Sequence, residues 1–149
     1  MKFSSAILGG ITGATVLTLL HESVRRVNKN APRMDKMGME AIAKTLESVN
    51  VAVAKEENLF KITMAGDIIS NSLYYSLAGL GNEKQVIVRG ALLGAAAGLG
   101  AVYLPKPLGL NEAPSNRTTE TKLLTVAWYL TGGLVAGIAA KFFESKTEK

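Results

Sequence analysis

Glycine at every fourth position inside a long apolar run is the feature that most constrains this chain. In the segment 86–104 these residues are Gly90, Gly94 and Gly98. The spacing recurs in two other apolar runs, as Gly9, Gly13, Gly133 and Gly137. In a water-soluble helix each interior glycine costs about 1 kcal/mol relative to alanine. In a bilayer, small residues let another helix approach closely. The pattern therefore predicts tightly packed membrane-spanning helices, with these glycines as the packing residues.

The apolar residues of the 149-residue chain gather in four blocks. Each block is about as long as the roughly 20 residues that a helix needs to cross the hydrocarbon core, and is apolar nearly all round. We expect an all-α fold, an integral membrane four-helix bundle that forms a single membrane domain over 1–149. The first block is followed by no small-residue cleavage pair, so we interpret it as a span rather than a signal peptide. The predicted spans are 3–20, 62–80, 86–104 and 123–140.

The segment between the first two spans has the pattern of an amphipathic helix, at about 34–50. Apolar residues from Met34 to Val49 fall on one side of the helical wheel, and Lys36, Glu40 and Lys44 fall on the other. Such a helix either lies on the bilayer surface or caps the end of the bundle, and both alternatives stay open.

Four spans place both termini on the same side of the membrane, for which we expect a bacterial inner (cytoplasmic) membrane. Counting lysines and arginines places the opposite side in the cytoplasm, whereas their density in the short segments favours the reverse orientation. Arg89 lies about one turn inside the third span, where a long side chain can reach lipid headgroups.

The composition argues against most catalytic chemistry. There is no cysteine and only one histidine, so a zinc site, which needs three or four ligands, is not expected. The glycine-rich third span lacks the lysine of a phosphate-binding loop. The net charge of +5 comes from loop residues and forms no basic face for nucleic acid. We therefore expect no catalytic residue, no metal and no cofactor, and the balance is against an enzyme.

The second span carries the one unusual polar feature of the apolar blocks. Five polar residues at spacings of three and four share one face of that helix: Thr63, Asp67, Ser70, Asn71 and Tyr74. A carboxylate at membrane depth is costly and needs a partner. The candidates that follow the first span on the same side are His21, Arg25 and Arg26. This face is either a conduction path or a structural polar seam, and ordinary interhelical bonding favours the seam.

Three functions follow from these features. The leading hypothesis is a small non-catalytic subunit that self-associates or joins a membrane-protein partner. Three spans carry glycines four residues apart, which is more close-packing surface than one four-helix monomer needs. The second is an ion, proton or small-solute channel or transporter that uses the polar face of span two. The third is a lipid-modifying enzyme that uses His21 and Glu22.

Overall fold

The computed structural model describes residues 1–147, and their regular structure is entirely helical. There are two short 3-10 turns, Leu77–Gly79 and Glu83–Gln85, and no strand within the described range. The all-α prediction is confirmed. The six helices are α1 (Phe3–Val24), α2 (Met34–Ser48), α3 (Glu56–Ser76), α4 (Val86–Tyr103), α5 (Ala113–Asn116) and α6 (Thr119–Thr147).

Three helical segments are long and apolar enough to cross a membrane, namely Phe3–Val24, Glu83–Tyr103 and Thr119–Lys146. They cover the first, third and fourth predicted spans. The second predicted span, 62–80, differs from its helix, since α3 begins at Glu56 and ends at Ser76. The charged first turn and the polar residues within α3 lower its mean hydropathy, so α3 does not belong to the apolar set. Membrane crossing by α3 stays a prediction.

Helix α6 lies at the centre of the fold, packed along α1 on one side and along α4 on the other. Both pairs run antiparallel, because residues near the start of α1 and of α4 meet residues near the end of α6. At the same end, the backbone N–H of Lys2 donates to the Glu144 carboxylate at 2.9 Å. The described chain therefore begins and α6 finishes at one end of the fold.

The glycines of α4 lie directly against the backbone of α6. A Cβ atom on Gly94 would lie 2.5 Å from the carbonyl oxygen of Tyr129, and one on Gly98 would lie 2.7 Å from the Cα of Val126. Gly9 of α1 is as close to Ala140, where an added Cβ would come within 2.5 Å of the alanine Cβ. Real Cβ atoms do not approach so closely, so these positions exclude every other side chain.

These glycine contacts form within one chain. The α4 ladder faces α6, and Gly133 and Gly137 of α6 face α4 in return. Self-association stays a prediction, and a second copy that packed on α4 would have to use another face of that helix.

Helix α3 packs on α1 rather than on α6. Gly79, just after α3, lies against Ala6, and Gly10 lies against the backbone of Ser72. Helix α3 therefore runs antiparallel to α1, and the four long helices alternate in direction. Helices α3 and α4 are consecutive along the chain, yet they barely touch. One of their contacts is a hydrogen bond from the Tyr74 hydroxyl to the carbonyl oxygen of Leu93, at 3.1 Å.

Helix α2 lies at the end of the fold where α1 finishes and α4 leads into its following loop. It packs on α3 and on the loop after α4, where Lys44 Nζ donates to the carbonyl oxygen of Gly109. The Glu40 carboxylate accepts the backbone N–H of Asn111 at 3.1 Å. That loop contains Pro105 and Pro107, which cannot continue a helix. Helix α2 and this loop together lie over one end of α3 and α4.

Substitution of Gly94 by alanine is expected to destabilise the protein, because the new methyl group would force apart the α4 and α6 backbones. Overpacking of this kind costs about 1–3 kcal/mol. Gly66 on α3 is a matched control, since a Cβ there meets no atom within 4 Å. Gly66→Ala should leave stability unchanged or raise it by up to about 1 kcal/mol, through helix propensity. Thermal unfolding in detergent, followed by circular dichroism, measures both, and equal melting temperatures would contradict the packing argument.

Candidate functional site

The polar face of α3 divides between two spaces. Thr63 and Asp67 point toward α1 and line a small enclosed cavity of about 20 Å³. Ser70, Asn71 and Tyr74 line a larger groove between α3 and α4, with a volume of about 620 Å³. One hydrogen bond joins the two sets, from Asn71 Nδ2 to Asp67 Oδ1 at 2.9 Å. The five residues thus share a helix face but not one continuous cavity.

His21 forms the α1 side of the enclosed cavity. Its imidazole is 8% exposed and stands edge-on to the ring of Trp128, at 4.9 Å between centroids, with Tyr129 at 5.8 Å. Neither ring nitrogen has a hydrogen-bond partner among the residues described, and the same holds for the hydroxyl of Thr63. Buried polar groups usually find partners, and a space of this size accommodates one water molecule. The cavity is therefore a small, mostly polar pocket, and the rings of Trp128 and Tyr129 pack behind its His21 wall.

None of the three proposed partners bonds to Asp67 within the described residues. Arg25 bonds to Asp35 and Glu22, at 2.5 Å and 2.6 Å, and its guanidinium lies over the Phe60 ring. Arg26 is exposed. No ion pair to Asp67 occurs within residues 1–147, and His21 shares its cavity without a hydrogen bond to it. The Arg25 side chain points toward α2 and Asp35 rather than toward Asp67.

Asp35 is the residue that the sequence interpretation missed. Its carboxylate is buried at the start of α2 and receives Arg33 Nε at 2.9 Å and Arg33 Nη2 at 2.7 Å, besides Arg25. Burial opposes its ionisation, but the hydrogen bonds and charges of the two arginines outweigh burial and hold the pKa of Asp35 below its ordinary value. The available signal was an acidic residue in the first turn of a helix, where the helix dipole favours negative charge.

The groove between α3 and α4 has walls of different character. The α3 wall carries Ser70, Asn71 and Tyr74, whereas the α4 wall consists of small residues. The ring of Tyr129 lies at the base, and Met34 and Met37 of α2 and leucines of the loop after α4 border it at one end. The α4 wall is formed by Ala96, Ala97, Gly100 and Ala101.

Arg89, predicted to reach lipid headgroups, is bonded within the chain. Its Nε donates to the carbonyl oxygen of Ala78 at 2.8 Å and its Nη2 to that of Asn82 at 2.7 Å. The guanidinium thus satisfies carbonyl groups at the turn between α3 and α4. A headgroup contact through its remaining donors stays a prediction.

Within residues 1–147 no three histidine or carboxylate side chains lie together in a way that would hold a metal ion. No protein-family model, curated protein or solved structure gives a significant match to this chain. The functional argument therefore depends on the geometry of the polar face and the groove.

We expect acid to weaken the junction of α1 and α2. Because the folded pKa of Asp35 is lowered, its contribution to stability is complete above the ordinary carboxyl pKa of 3.8 and is lost as the pH falls through the folded value. Asp35→Asn should lower stability at neutral pH by roughly 3 kcal/mol, because it leaves two arginines without their shared carboxylate. It should also flatten the loss of stability below about pH 4.

Melting temperatures between pH 7 and pH 3 measure both effects. Glu57→Gln is the control, because within residues 1–147 Glu57 pairs with Lys61 alone, at the exposed start of α3. If Asp35→Asn and Glu57→Gln gave the same curves, the role assigned to Asp35 would be wrong.

Proposed function

We propose that this chain is a small polytopic membrane protein whose four long helices all cross the bilayer, and that it acts as a non-catalytic, complex-forming subunit. Three apolar helices support a membrane location. Membrane crossing by α3 is supported by its antiparallel packing along α1 and by the exposed apolar side chains on its outer surface. Those side chains are Ile62, Ile68, Ile69 and Leu73. We assign the bacterial inner membrane as its location, with both termini on the same side.

The groove between α3 and α4 is the main support for this proposal. In a bilayer the groove would open sideways toward the lipid. Apart from the hydrogen bond of Tyr74 to Leu93, the two helices make few contacts along it. Polar side chains that face hydrocarbon are unfavourable unless another group bonds to them. Ser70 and Asn71 lie on the wall of this opening. Each of them bonds to Asp67 of its own helix and keeps further hydrogen-bonding capacity, which favours a second polypeptide as the normal occupant of the groove.

The α4 wall of the groove has the small side chains against which a second helix can pack. Gly100 faces the groove, where an added Cβ would meet only Leu104, just after α4, at 3.4 Å. Together with Ala96 and Ala97 it forms a surface of small residues, on a different face from the Gly90, Gly94 and Gly98 ladder. Small residues let the backbones of two helices approach, and Asn71 can then bond across the interface. The occupant that fits is a transmembrane helix, supplied by a second copy or by another membrane protein.

The other two functions have less support from the geometry. A conduction path along α3 would have to join two spaces, the smaller of which holds about 20 Å³ and is enclosed. An enzyme that used His21 and Glu22 would need an accessible imidazole, but the His21 ring is packed against Trp128 and Glu22 is bonded to Arg25. A helix-binding subunit requires neither a pathway nor an accessible base.

Gly100→Leu should abolish the complex, because the leucine side chain would fill the groove without disturbing α4 packing on α6. Gly66→Leu on α3 is the matched control, since it adds the same side chain at a site with no neighbour within 4 Å. Native mass spectrometry after extraction in mild detergent is the measurement. The wild type and Gly66→Leu should run above the mass of one chain, 15.8 kDa, and Gly100→Leu at that mass.

Equal melting temperatures of the two variants would show that Gly100→Leu is folded. A wild-type protein found only at 15.8 kDa in membrane extracts would rule out the proposed complex.

A further inference from the structure

A third cavity, of about 330 Å³, lies at the end of the fold where the connection from α1 to α2 meets the segment around α5. Ten residues line it, and half of them are cations: Arg25, Lys29, Arg33, Lys36 and Arg117. None of the lining residues is acidic. This cavity, the basic pocket, has no part in the groove between α3 and α4.

The walls of the basic pocket are held by hydrogen bonds. Arg117 Nη2 donates to the carbonyl oxygens of Lys29 and Ala31, and the backbone N–H of Arg33 donates to the carbonyl oxygen of Pro114 at 2.8 Å. These bonds join the loop after α1 to the segment around α5. The cations are therefore brought together by the fold and are not scattered along flexible chain.

The charge of the pocket is only partly neutralised. Asp35 and Glu22 bond to Arg25 and Arg33, and Glu120 lies beside the rim, bonded to Asn28. The ammonium groups of Lys29 and Lys36 are exposed and form no ion pair or hydrogen bond within the part of the chain that the structure describes. An anion in the pocket would meet these two ammonium groups without breaking a hydrogen bond, and Glu120 at the rim competes with it for the charge of Lys29.

The position of the pocket identifies the class of anion. Arg33, just before α2, and Lys36 of α2 line it, while the residues that follow them, Met34 and Met37, line the apolar groove. The neighbouring loop exposes Leu104 and Leu108. A basic site that borders apolar surface at the end of membrane-length helices is where phospholipid phosphates lie.

We propose that the basic pocket binds a phosphate group, and that an anionic phospholipid headgroup supplies it. The phosphate chemistry follows from the pocket alone. The lipid source depends on the proposed membrane location, so the test must separate lipid from free phosphate. Lysine binds phosphate as a point charge, and arginine adds directed hydrogen bonds.

The experiment uses the full chain in a nonionic detergent and three probes: dihexanoyl phosphatidylglycerol, dihexanoyl phosphatidylcholine and inorganic phosphate. The pocket variant is Lys29→Gln with Lys36→Gln. The control variant, Lys55→Gln with Lys106→Gln, removes the same charge from exposed lysines outside the pocket. Isothermal titration measures each affinity at two salt concentrations, because binding to surface charge weakens with ionic strength.

We expect phosphatidylglycerol to bind the wild type and the control variant equally. The pocket variant should bind it about tenfold to thirtyfold more weakly. Weaker binding of phosphatidylcholine and of inorganic phosphate would identify the lipid as the source. If inorganic phosphate bound as tightly as phosphatidylglycerol and lost the same affinity in the pocket variant, the phosphate site would be supported. The assignment of a lipid as the source of that phosphate would then be wrong.

Equal affinities in the pocket and control variants, or no binding of either anion, would overturn the proposal. Oligomeric mass does not enter any of these measurements. Failure of the basic pocket is therefore distinguishable from failure of the proposed complex.

Discussion

The close approach of three backbones is the interaction on which this fold depends. Helix α6 meets α1 and α4 at distances that leave no room for a Cβ at Gly9, Gly94 or Gly98. Between lipid-exposed helices, burial of apolar surface supplies little driving force, so contact area and backbone proximity have to supply it. The glycines make that proximity possible along both flanks of α6. Helix α3 packs equally closely on α1, where Gly10 lies against the backbone of Ser72, but it barely touches α4.

The separation of α3 from α4 accounts for the features that concern function. Because α3 packs on α1 and barely touches α4, its polar face is not closed by a neighbour along its full length. Asp67 turns toward α1 and bonds to Asn71, while Ser70 and Tyr74 border the groove. The same helix thus contributes an enclosed polar cavity on one side and an open groove on the other.

The sequence predicted structure best where a single repeat, that of small residues in an apolar run, determined the helix. Uninterrupted apolar runs with glycine every four residues predicted α1, α4 and α6 as long apolar helices. The α3 boundaries were less predictable, because charged residues such as Glu56 and Lys61 extend a helix without adding to its hydropathy. The Asp67 partner was predicted from depth alone, whereas Arg25 turns away toward Asp35. Local spacing does not determine long-range geometry of this kind, and it did not predict the basic pocket, which is assembled from two segments distant in sequence, 25–36 and 111–117.

The central position of α6 has a consequence for how the protein is made. This helix is synthesised after α1 and α4, yet it supplies the surfaces against which both of them pack. At about 5–20 residues per second, several seconds pass between the synthesis of α4 and that of the middle of α6. During that interval the glycine faces of both earlier helices have no native neighbour. The glycine faces of α1 and α4 therefore stay uncovered, and open to non-native contacts, until α6 has been made.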